Sequence, residues 1–447
     1  MSLRSFLDEM EAEGEVVHVK EEVSPRFEIS SVMKALDKGP VLFFNRVKGY
    51  STKVVANVCG TRQRLCKALA VTPKQLYQKL IEACRYPPAQ ETINNAQVKE
   101  VTEQADLSKI PVLTHFENDA DPYITSALVS ARSPDGKIEN VSVHRLQVLD
   151  SRRLAIRLVP RHLFKLWGMA KEAGEDLEVA IAIGLHPAVL LAATSPVPFG
   201  VSEFGVAGAL LGKRFSLTTC ENIGVRVPAD AEIVLEGKIS VTEEVVEGPL
   251  VDLTGTHDIQ RRQPIIRLVG MMHRKEPIYQ ALLPSGTEHQ LLMGLPRETK
   301  IWEAVSNVVP TMKAVNLTRG GGGWLHAVIS IEKQTDGDGK NALLAAFAGH
   351  PSLKHAVVVD SDINIYDLEE VEWAIATRFQ AEEDLLVVQN VRGSTLDPSA
   401  DQETGLTTKV GIDATRPLTE ARERFERAKI PYSKRISEII DKIRLAL

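Results

Sequence analysis

Cysteine is scarce in this chain, and its four residues, Cys59, Cys66, Cys84 and Cys220, show neither CxxC nor zinc-type spacing. We therefore expect small core residues in a reducing, cytoplasmic setting rather than disulfides or a zinc site. Long apolar runs are also missing, since the longest, around residues 189–194, is too short to span a bilayer. The acidic N-terminus lacks the apolar core of a signal peptide.

An excess of positive charge is absent as well. The net charge is -6 and no long basic stripe occurs, which argues against a dedicated nucleic-acid binder. Hydrophobic residues make up 44% of the chain and charged residues 25%, as in ordinary globular proteins. Because 447 residues exceed one ordinary core, two or three domains are expected.

Common catalytic signatures are missing too. No GxSxG, HExxH or DFG-type element is present. Gly208 and Gly212 resemble part of a phosphate loop, but three residues separate them instead of four, and Arg214 follows Lys213 where Ser or Thr is needed. The glycine run 319–324 is not a GxGxxG motif and is predicted to be a flexible turn between strands.

Apolar periodicity divides the chain into three parts. Residues 1–100 alternate helices and strands, which predicts a small α/β domain that runs into a polar linker at about 87–109. Residues 101–307 are rich in strands and predict a mainly antiparallel barrel or curved sheet. Residues 308–447 return to an α/β rhythm. The overall prediction is an α/β (α+β) protein.

The last 30 residues are predicted to be an amphipathic helix. One face of this helix would carry the aliphatic part of the Arg422 side chain together with the side chains of Phe425, Ala428, Ile436, Ile439, Ile440 and Ile443. Such a helix can pack on its own domain or across a dimer, and the sequence leaves both alternatives open.

Three short segments carry chemically useful polar groups, and the first is NVSVHR at residues 140–145. Read as part of one strand over 141–149, it places Asn140 and Ser142 on one face and Arg145 on the other. An arginine among valines needs an anionic partner if it is buried. A surface arginine is the alternative.

The other two segments contribute carboxylates. Glu203 lies in SEFGVAG, and Glu247 and Asp252 flank a Gly-Pro turn that can direct both toward one cavity. Two carboxylates around an arginine form a proton-relay unit, because the arginine keeps one acid ionised while burial raises the pKa of the other. A solvated acidic loop is the alternative. His162 follows a strand and is a metal ligand only if an amide and a carboxylate converge on it, a set that suits Mn²⁺ or Mg²⁺.

Together these segments resemble the UbiD family of reversible decarboxylases, which use prenylated FMN. The resemblance covers nearly the whole chain and includes KHAVVVDSDINIYD and GLTTKVGIDAT near the C-terminus. It rests on the order and spacing of Asn140, Arg145, His162, Glu203, Glu247 and Asp252. It implies an N-terminal α/β domain (1–100, with the linker), a central split-β-barrel that binds the flavin (101–307), and a C-terminal α/β oligomerisation domain with the terminal helix (308–447).

The resemblance also implies roles for individual residues. Asn140, His162 and Glu203 would bind Mn²⁺, which holds the cofactor phosphate and is accompanied by K⁺. The catalytic network would be Arg145, Glu247 and Asp252, with Asp252 as the proton donor. The residues implied to contact the cofactor or its metal are Asn140, Val143, His144, Arg145, Arg161, His162, Glu203 and Lys354.

The substrate prediction rests on His289 and Arg297, which lie where relatives shape the substrate pocket. The resemblance implies an aromatic, heteroaromatic or α,β-unsaturated acid. Because arginine binds carboxylates bidentately, Arg297 favours a second carboxylate or a heteroaromatic ring, with furan-2,5-dicarboxylate as the first choice and pyrrole or indole carboxylates after it. The alternative places both residues on the exposed face of a helix capped near Pro296. Expected partners are the acid, CO₂, a flavin prenyltransferase and further copies in a homodimer or hexamer, but neither nucleic acid nor membrane. Alternative functions are a non-catalytic flavin or metal binder and a metal-dependent hydrolase.

Overall fold

The computed structural model describes residues 1–428, 430–431 and 433–444. Helices and strands are mixed throughout this part of the chain, which confirms the predicted α/β (α+β) class. Among these residues we find no helix with the length and apolar character that a membrane crossing requires. Cys59, Cys66 and Cys220 are buried and unpaired, as expected of small core residues.

The N-terminal part is built on a sheet in the order β1-β2-β3. Its elements are α1 (Leu3–Ala12), β1 (Val16–Val23), α2 (Glu28–Ala35), β2 (Val41–Val47), β3 (Lys53–Ala56), α3 (Arg62–Ala68) and α4 (Leu76–Arg85). Helix α1 begins at Ser2, whose hydroxyl accepts from the backbone of Ser5 in a capping box. The helix buries the apolar face that the sequence predicts, Leu3, Phe6, Leu7 and Met10.

The central part is dominated by one antiparallel sheet, in the order β6-β9-β10-β15-β14-β11-β7-β8, with β5 beside β15. The elements of this part are β4 (Glu91–Thr92), β5 (Val101–Glu103), β6 (Tyr123–Ile124), β7 (Leu128–Arg132), β8 (Glu139–Val143), β9 (Leu146–Val148), β10 (Arg153–Ile156), α5 (His162–Ala173), β11 (Leu177–Ile183), α6 (Pro187–Thr194), α7 (Glu203–Leu211), β12 (Ser216–Thr219), β13 (Arg226–Pro228), β14 (Ile233–Glu247), β15 (Arg261–His273) and β16 (Ile278–Gln280). Strand β16 joins β3 of the N-terminal sheet. The segment 87–109 was predicted to be a plain linker, but it contains β4 and β5, and β5 belongs to the central sheet.

The connection between β8 and β9 shows how strongly the central sheet curls. β8 is one edge of the sheet, and β9 lies next to the other edge. In a flat sheet the two strands would be roughly 29 Å apart, at about 4.8 Å per strand. Only His144 and Arg145 join them, a link that spans about 10 Å at most. The sheet must therefore close on itself, and these two residues lie in the seam.

This seam corrects one sequence prediction. Residues 141–149 were expected to form a single strand, but pairing with β7 ends at Val143 and pairing with β10 starts at Leu146. The apolar residues change phase across the break, from Val141 and Val143 to Leu146 and Val148, which a single alternating strand does not explain. Alternation within one strand therefore does not fix the direction of Arg145; closure of the sheet does.

The C-terminal part contains a mixed sheet in the order β17-β18-β19-β21-β20, with parallel pairs in its centre. Its elements are α8 (Thr287–Val308), β17 (Met312–Leu317), β18 (His326–Ile331), α9 (Asp338–Gly349), β19 (His355–Asp360), α10 (Leu368–Arg378), α11 (Ala381–Asp384), β20 (Leu385–Arg392), β21 (Leu406–Ala414) and α12 (Lys434–Arg444). The glycine run forms the predicted turn between β17 and β18, and Gly322 and Gly323 have positive φ angles of 69° and 62°. Pro296 lies inside α8, so this helix does not end there.

The terminal helix is shorter than predicted. Residues 422–425 form a 3-10 turn, and the helix begins only at Lys434. Pro431 lies between them and interrupts the predicted helix, because proline lacks the N–H that continues a helix. Ile436, Ile439 and Ile443 are 42%, 41% and 54% exposed, so these three side chains are not packed against the described part of this chain. Ile440 of the same stripe is half-buried, so packing on its own domain and packing across a dimer both stay predictions.

Candidate active site

Arg145 lies in the seam of the central sheet, with its side chain only 10% exposed. Its Nε and Nη2 donate to the two carboxylate oxygens of Glu247, each at 3.0 Å, in a bidentate pair. Burial by itself lowers the pKa of the Arg145 guanidinium, but Glu247 and two aspartates outweigh burial and raise that pKa above its usual value. The surface-arginine alternative is therefore wrong.

The two aspartates are Asp252 and Asp258. Nη1 of Arg145 donates to Asp252 Oδ2 at 3.0 Å, and Nη2 donates to Asp258 Oδ2 at 3.0 Å. The structure thus brings together the predicted trio of Arg145, Glu247 and Asp252. It adds Asp258, which the sequence analysis missed. The only signal is its place in the same loop, six residues after Asp252, and loop aspartates are too common for that to be specific.

The loop between β14 and β15 positions both aspartates. The backbone N–H of Asp258 donates to the carbonyl of Leu250 at 2.9 Å, and that of Asp252 donates to Thr256 at 3.1 Å, so the loop folds back on itself. The three carboxylates differ in access. The side chain of Glu247 is fully buried and that of Asp258 is 6% exposed, whereas that of Asp252 is 20% exposed. A solvated acidic loop does not describe this segment, and Asp252 is the carboxylate with the most room to meet a ligand.

Tyr123 and Gln147 fix Glu247 from behind. The Tyr123 hydroxyl donates to Glu247 Oε1 at 3.1 Å, and Gln147 Oε1 accepts from the backbone of Gly248 at 3.1 Å. Burial raises the pKa of Tyr123, and the neighbouring charge of Glu247 adds to this effect, so the hydroxyl keeps its proton. Glu247 is therefore a fixed anchor for Arg145 and has no room to turn toward a ligand.

A second polar cluster gathers around Glu203, the first residue of α7. Its Oε2 accepts from the backbone N–H of Val141 at 2.7 Å, and its Oε1 accepts from Asn140 Nδ2 at 3.0 Å. His162 Nδ1 lies 4.0 Å from the same Oε1. Burial raises the pKa of the Glu203 carboxyl, although contacts with His162 and Val141 oppose that effect. The structure therefore brings together all three predicted metal-site residues.

The donor set of this cluster fits a divalent cation. The gap between His162 and Glu203 is too long for a hydrogen bond, and a half-turn of the Asn140 amide exchanges its nitrogen for its oxygen. One imidazole nitrogen, one carboxylate and one amide oxygen then face the same point, a combination suited to Mn²⁺ or Mg²⁺. Among the described residues no three His, Cys, Asp or Glu side chains are grouped as a metal site. The cluster thus depends on the amide of Asn140.

The other residues predicted to bind the cofactor are divided between two places. Val143 and His144 line the seam, and burial lowers the pKa of His144 to about 4, so its ring is neutral. Arg161 precedes His162 at the start of α5 and is exposed. Lys354 lies in the C-terminal part, where its ammonium binds Asp397 at 2.6 Å and also contacts Ser399. These contacts do not bring Lys354 to the Glu203 cluster.

His289 and Arg297 both lie on α8, and neither is on an exposed face. Burial lowers the pKa of His289; Asp252 opposes this shift and Arg145 adds to it, so the ring faces the carboxylate network. Arg297 lies over the Trp324 ring at 5.5 Å, and burial together with the charge of Arg161 lowers its pKa to about 10. In the described part of the chain no carboxylate forms an ion pair with Arg297. The helix therefore carries a half-buried guanidinium that pairs with no carboxylate of the described residues.

Comparison with known families covers most of the chain. Profiles of 3-octaprenyl-4-hydroxybenzoate carboxy-lyase (UbiD) match in three consecutive segments. The N-terminal domain profile matches residues 7–84, the Rift-related domain profile residues 90–287, and the C-terminal domain profile residues 290–414.

Individual proteins resemble the chain over its full length. Anhydromevalonate phosphate decarboxylase of Methanosarcina mazei is 46% identical over 432 residues, which are 96% of this chain and 100% of the relative. The structure of the UbiD-class enzyme HmfF from Pelotomaculum thermopropionicum, in complex with FMN, has a TM-score of 0.94 and 44% identity, and the match covers 100% of this chain and 99% of HmfF. An evolved dimeric form of HmfF, in complex with prFMN, has a TM-score of 0.90 and 42% identity, with coverage of 100% and 99%.

Proposed function

Because this chain belongs to the UbiD family of carboxy-lyases, we propose that it catalyses the reversible, non-oxidative decarboxylation of an unsaturated carboxylic acid with prenylated FMN. One observation carries the proposal at the level of this chain. Arg145 is clamped by the buried Glu247 and also holds the more accessible Asp252. A protein that only stores a flavin or a metal has no use for a mobile acid beside a fixed arginine–carboxylate pair.

The reaction itself explains why such an acid is needed. Loss of CO₂ from an sp² carbon leaves an electron pair on that carbon, and a proton must replace the CO₂. When bound, the cofactor supplies the electron sink that makes this loss feasible. Asp252 in its protonated form gives its proton to that carbon and becomes a carboxylate, so the substrate carboxylate and protonated Asp252 together yield the decarboxylated product, CO₂ and the Asp252 anion.

The cofactor and its ions would be held at the other cluster. Asn140, His162 and Glu203 are the proposed ligands of Mn²⁺, and K⁺ is proposed nearby. Contacts to the flavin are assigned to Val143, His144, Arg145 and Arg161. Lys354, the phosphate contact implied by the resemblance, is paired with Asp397 and is not assigned to the phosphate here. The FMN and prFMN complexes of the similar enzyme HmfF support this type of cofactor. A flavin prenyltransferase would supply the prenylated form.

For the substrate we propose an acid that carries a second anionic group. Arg297 is a largely buried cation without a carboxylate partner in the described part of the chain, and it can bind a carboxylate or phosphate with two hydrogen bonds. Anhydromevalonate phosphate, the compound named for the Methanosarcina mazei relative, is such an acid, because it has a carboxylate on a double bond and a phosphate at its other end. It is our first candidate.

Furan-2,5-dicarboxylate, the substrate predicted from the sequence, is the second candidate. Its second carboxylate suits the unpaired guanidinium of Arg297 as well as a phosphate does. The neutral ring of His289, close to Asp252, can donate a hydrogen bond to the furan oxygen or to the reacting carboxylate. The two candidates differ in the length and charge of the second group, so relative turnover separates them.

The test is coexpression with a flavin prenyltransferase, followed by absorption spectra and CO₂ release. Anhydromevalonate phosphate, furan-2,5-dicarboxylate and the monoacid furan-2-carboxylate form the panel. We expect a bound flavin and CO₂ from at least one acid with two anionic groups. Bound flavin without CO₂ from any acid would support a non-catalytic binder. Metal-dependent hydrolysis of esters or amides without flavin would support the hydrolase alternative.

We also propose that the protein works as a homodimer or a hexamer. The stripe of Ile436, Ile439 and Ile443 on α12 is exposed in the single chain, and a second copy would cover it. The dimeric form of HmfF, similar over the whole length of the chain, is compatible with such an assembly.

A further inference from the structure

Arg145 binds three carboxylates, but the proposed reaction uses only Glu247 and Asp252. Its Nη2 is shared between Glu247 Oε2 and Asp258 Oδ2, both at 3.0 Å, while Nη1 alone serves Asp252. Asp258 cannot take the part of the acid, because its side chain is 6% exposed and turned into the protein. Its position suggests an effect on Arg145 instead.

Two further arginines hold Asp258 in place. Arg261 donates to Asp258 Oδ1 at 2.7 Å, and Arg157 Nε lies 3.7 Å from Oδ2. Burial by itself raises the pKa of Asp258, but Arg145, Arg261 and Arg157 outweigh burial and lower that pKa below its usual range. Asp258 therefore stays ionised whether Asp252 carries a proton or not.

The charges in this network are matched. Arg145, Arg157 and Arg261 face Glu247, Asp252 and Asp258, so the sum is zero when Asp252 is ionised and one positive charge when it is protonated. From α8 the neutral ring of His289 faces Asp252. Beside the loop, His257 pairs with Asp119 at 3.9 Å. Among the described contacts, no further group supplies a negative charge against the three arginines. Asp258 is therefore, with Glu247, one of two fixed anions that act on Arg145.

We propose that Asp258 is a positioning residue of the proton relay, which holds Arg145 in place and limits how strongly Arg145 retains Asp252. The proposal rests on the proposed role of Asp252 as proton donor. When Asp252 turns toward the reacting carbon, Arg145 loses one partner and keeps Glu247 and Asp258. Without the charge of Asp258, Arg145 attracts the Asp252 carboxylate more strongly. Asp252 then loses its proton at a lower pH, and its side chain turns away from Arg145 less readily.

The first variant is Asp258→Asn, which removes one negative charge and keeps the shape. At an effective dielectric constant near 20 and a separation of roughly 7 Å, one charge shifts a titration midpoint by about one pH unit or more. We expect the Asp252 carboxyl band, followed by infrared spectroscopy in the full-length protein without cofactor, to titrate about one unit lower than in wild type. Asp252→Asn identifies that band. In the cofactor-loaded enzyme, the limb of the pH profile on which kcat falls with rising pH should likewise move to lower pH.

The second variant is Arg261→Gln, which removes a positive charge from the other side of Asp258. It should move the Asp252 midpoint and the kcat limb upward, opposite to Asp258→Asn. A purely structural role would lower stability or activity in both variants without opposite shifts. If Asp258→Asn fails to fold, Arg261→Gln and Asp258→Glu, which keeps the charge and should restore the wild-type limb, still test the proposal.

The matched control is Glu244→Gln, on the same pair of strands. Glu244 is 40% exposed and pairs with the exposed Arg262, outside the network, so this loss of the same charge should leave the midpoint close to wild type. Midpoints that stay unchanged in Asp258→Asn and Arg261→Gln, in an enzyme that releases CO₂, would overturn the role of Asp258 alone. An absence of CO₂ release from wild type on the whole panel would instead overturn the proposed function.

Discussion

Asp252 is bound to Arg145 through a single hydrogen bond of 3.0 Å, whereas Glu247 binds the same guanidinium through two. Within the described residues, the second carboxylate oxygen of Asp252 accepts only from the adjacent backbone N–H of Leu253, at 2.7 Å. The acid is thus tethered to its arginine and yet free to turn, while the anchor is immobile. This difference assigns the mobile proton to Asp252 in the proposed mechanism.

The variant Asp252→Asn should therefore lose turnover and keep its cofactor. The amide preserves the shape and the contact with Arg145 but cannot deliver a proton, and general acids contribute roughly 10²- to 10⁴-fold to rate. The flavin absorption of the purified protein and CO₂ release are the two measurements. Asp252→Glu, which keeps the acid on a longer side chain, is the control and should retain part of the activity. If Asp252→Asn released CO₂ at the wild-type rate, Asp252 would not be the proton donor.

Much of this site could be predicted because its residues occur in a recognisable order along the chain. Asn140, Arg145 and Glu203 were found through spacing that resembles a family, and the structure brings each into the expected cluster. Asp258 and Arg261 could not be found in this way. The contact of Asp258 with Arg145 and that of Arg261 with Asp258 depend on how the β14–β15 loop folds back and how the sheet closes, and neither leaves a periodic pattern in the sequence.

The fold was likewise predictable only in part. Helices such as α1 and α5 follow from periodicity, because an apolar face at helical spacing must be buried. The seam after Val143 was predictable only in part, because the change of phase from Val143 to Leu146 indicates a break in the strand but not that the sheet closes there. The long terminal helix was wrong for a local reason. The predicted stripe runs from Phe425 to Ile443 across Pro431, although the helix begins only after this proline.

Arg297→Ala should separate substrates by their second charge. Loss of a charge-assisted, bidentate contact should lower kcat/KM on anhydromevalonate phosphate or furan-2,5-dicarboxylate by about 10- to 100-fold. Turnover of furan-2-carboxylate should remain unchanged, since it has no second anion. Equal losses on all three acids would contradict the assignment.

Removal of a metal ligand should release the cation. His162→Ala leaves Asn140 and Glu203 with one ligand fewer, so the purified protein should contain much less Mn²⁺ by elemental analysis than wild type prepared with the same metal. His18→Ala, a change of a surface histidine at the other end of the chain, is the control and should keep its metal. Wild-type metal content in His162→Ala would place the cation elsewhere.

A buried glutamate on α8 gives the stability of the protein a pH dependence. Glu288 accepts from the backbone N–H of Cys59 at 2.7 Å, while its other oxygen is buried and has no partner. Burial raises the pKa of this carboxyl to about 7. A raised folded-state pKa means that its stabilising contribution is complete below about pH 4.5, the unfolded value, and is lost as the pH rises through about 7.

Glu288→Gln should remove this dependence, because the amide is neutral and keeps the contact with Cys59. We expect similar urea midpoints for the two proteins at pH 5. At pH 8 the variant should be more stable by on the order of 2–3 kcal/mol. Glu298→Gln on the same helix is the contrasting control. Glu298 binds Arg62 and Tyr77, so that substitution should destabilise the protein at both values of pH. If the stability of wild type and that of Glu288→Gln changed with pH in parallel, the pKa of Glu288 would not be raised in the folded state.

The exposed stripe on α12 makes the proposed assembly testable. Ile439→Glu places a charge in the middle of the stripe, and burying an unpaired charge in an interface costs several kcal/mol, so the variant should be monomeric where wild type is dimeric or larger. Light scattering after size-exclusion chromatography measures the mass directly. Ser437→Glu introduces the same charge on the same helix, away from the stripe, and should leave the mass unchanged. Because the residues of the relay all come from the central part and α8, monomeric Ile439→Glu should still bind the flavin. A wild-type protein that is already monomeric, or an Ile439→Glu variant of unchanged mass, would show that this stripe does not hold copies together.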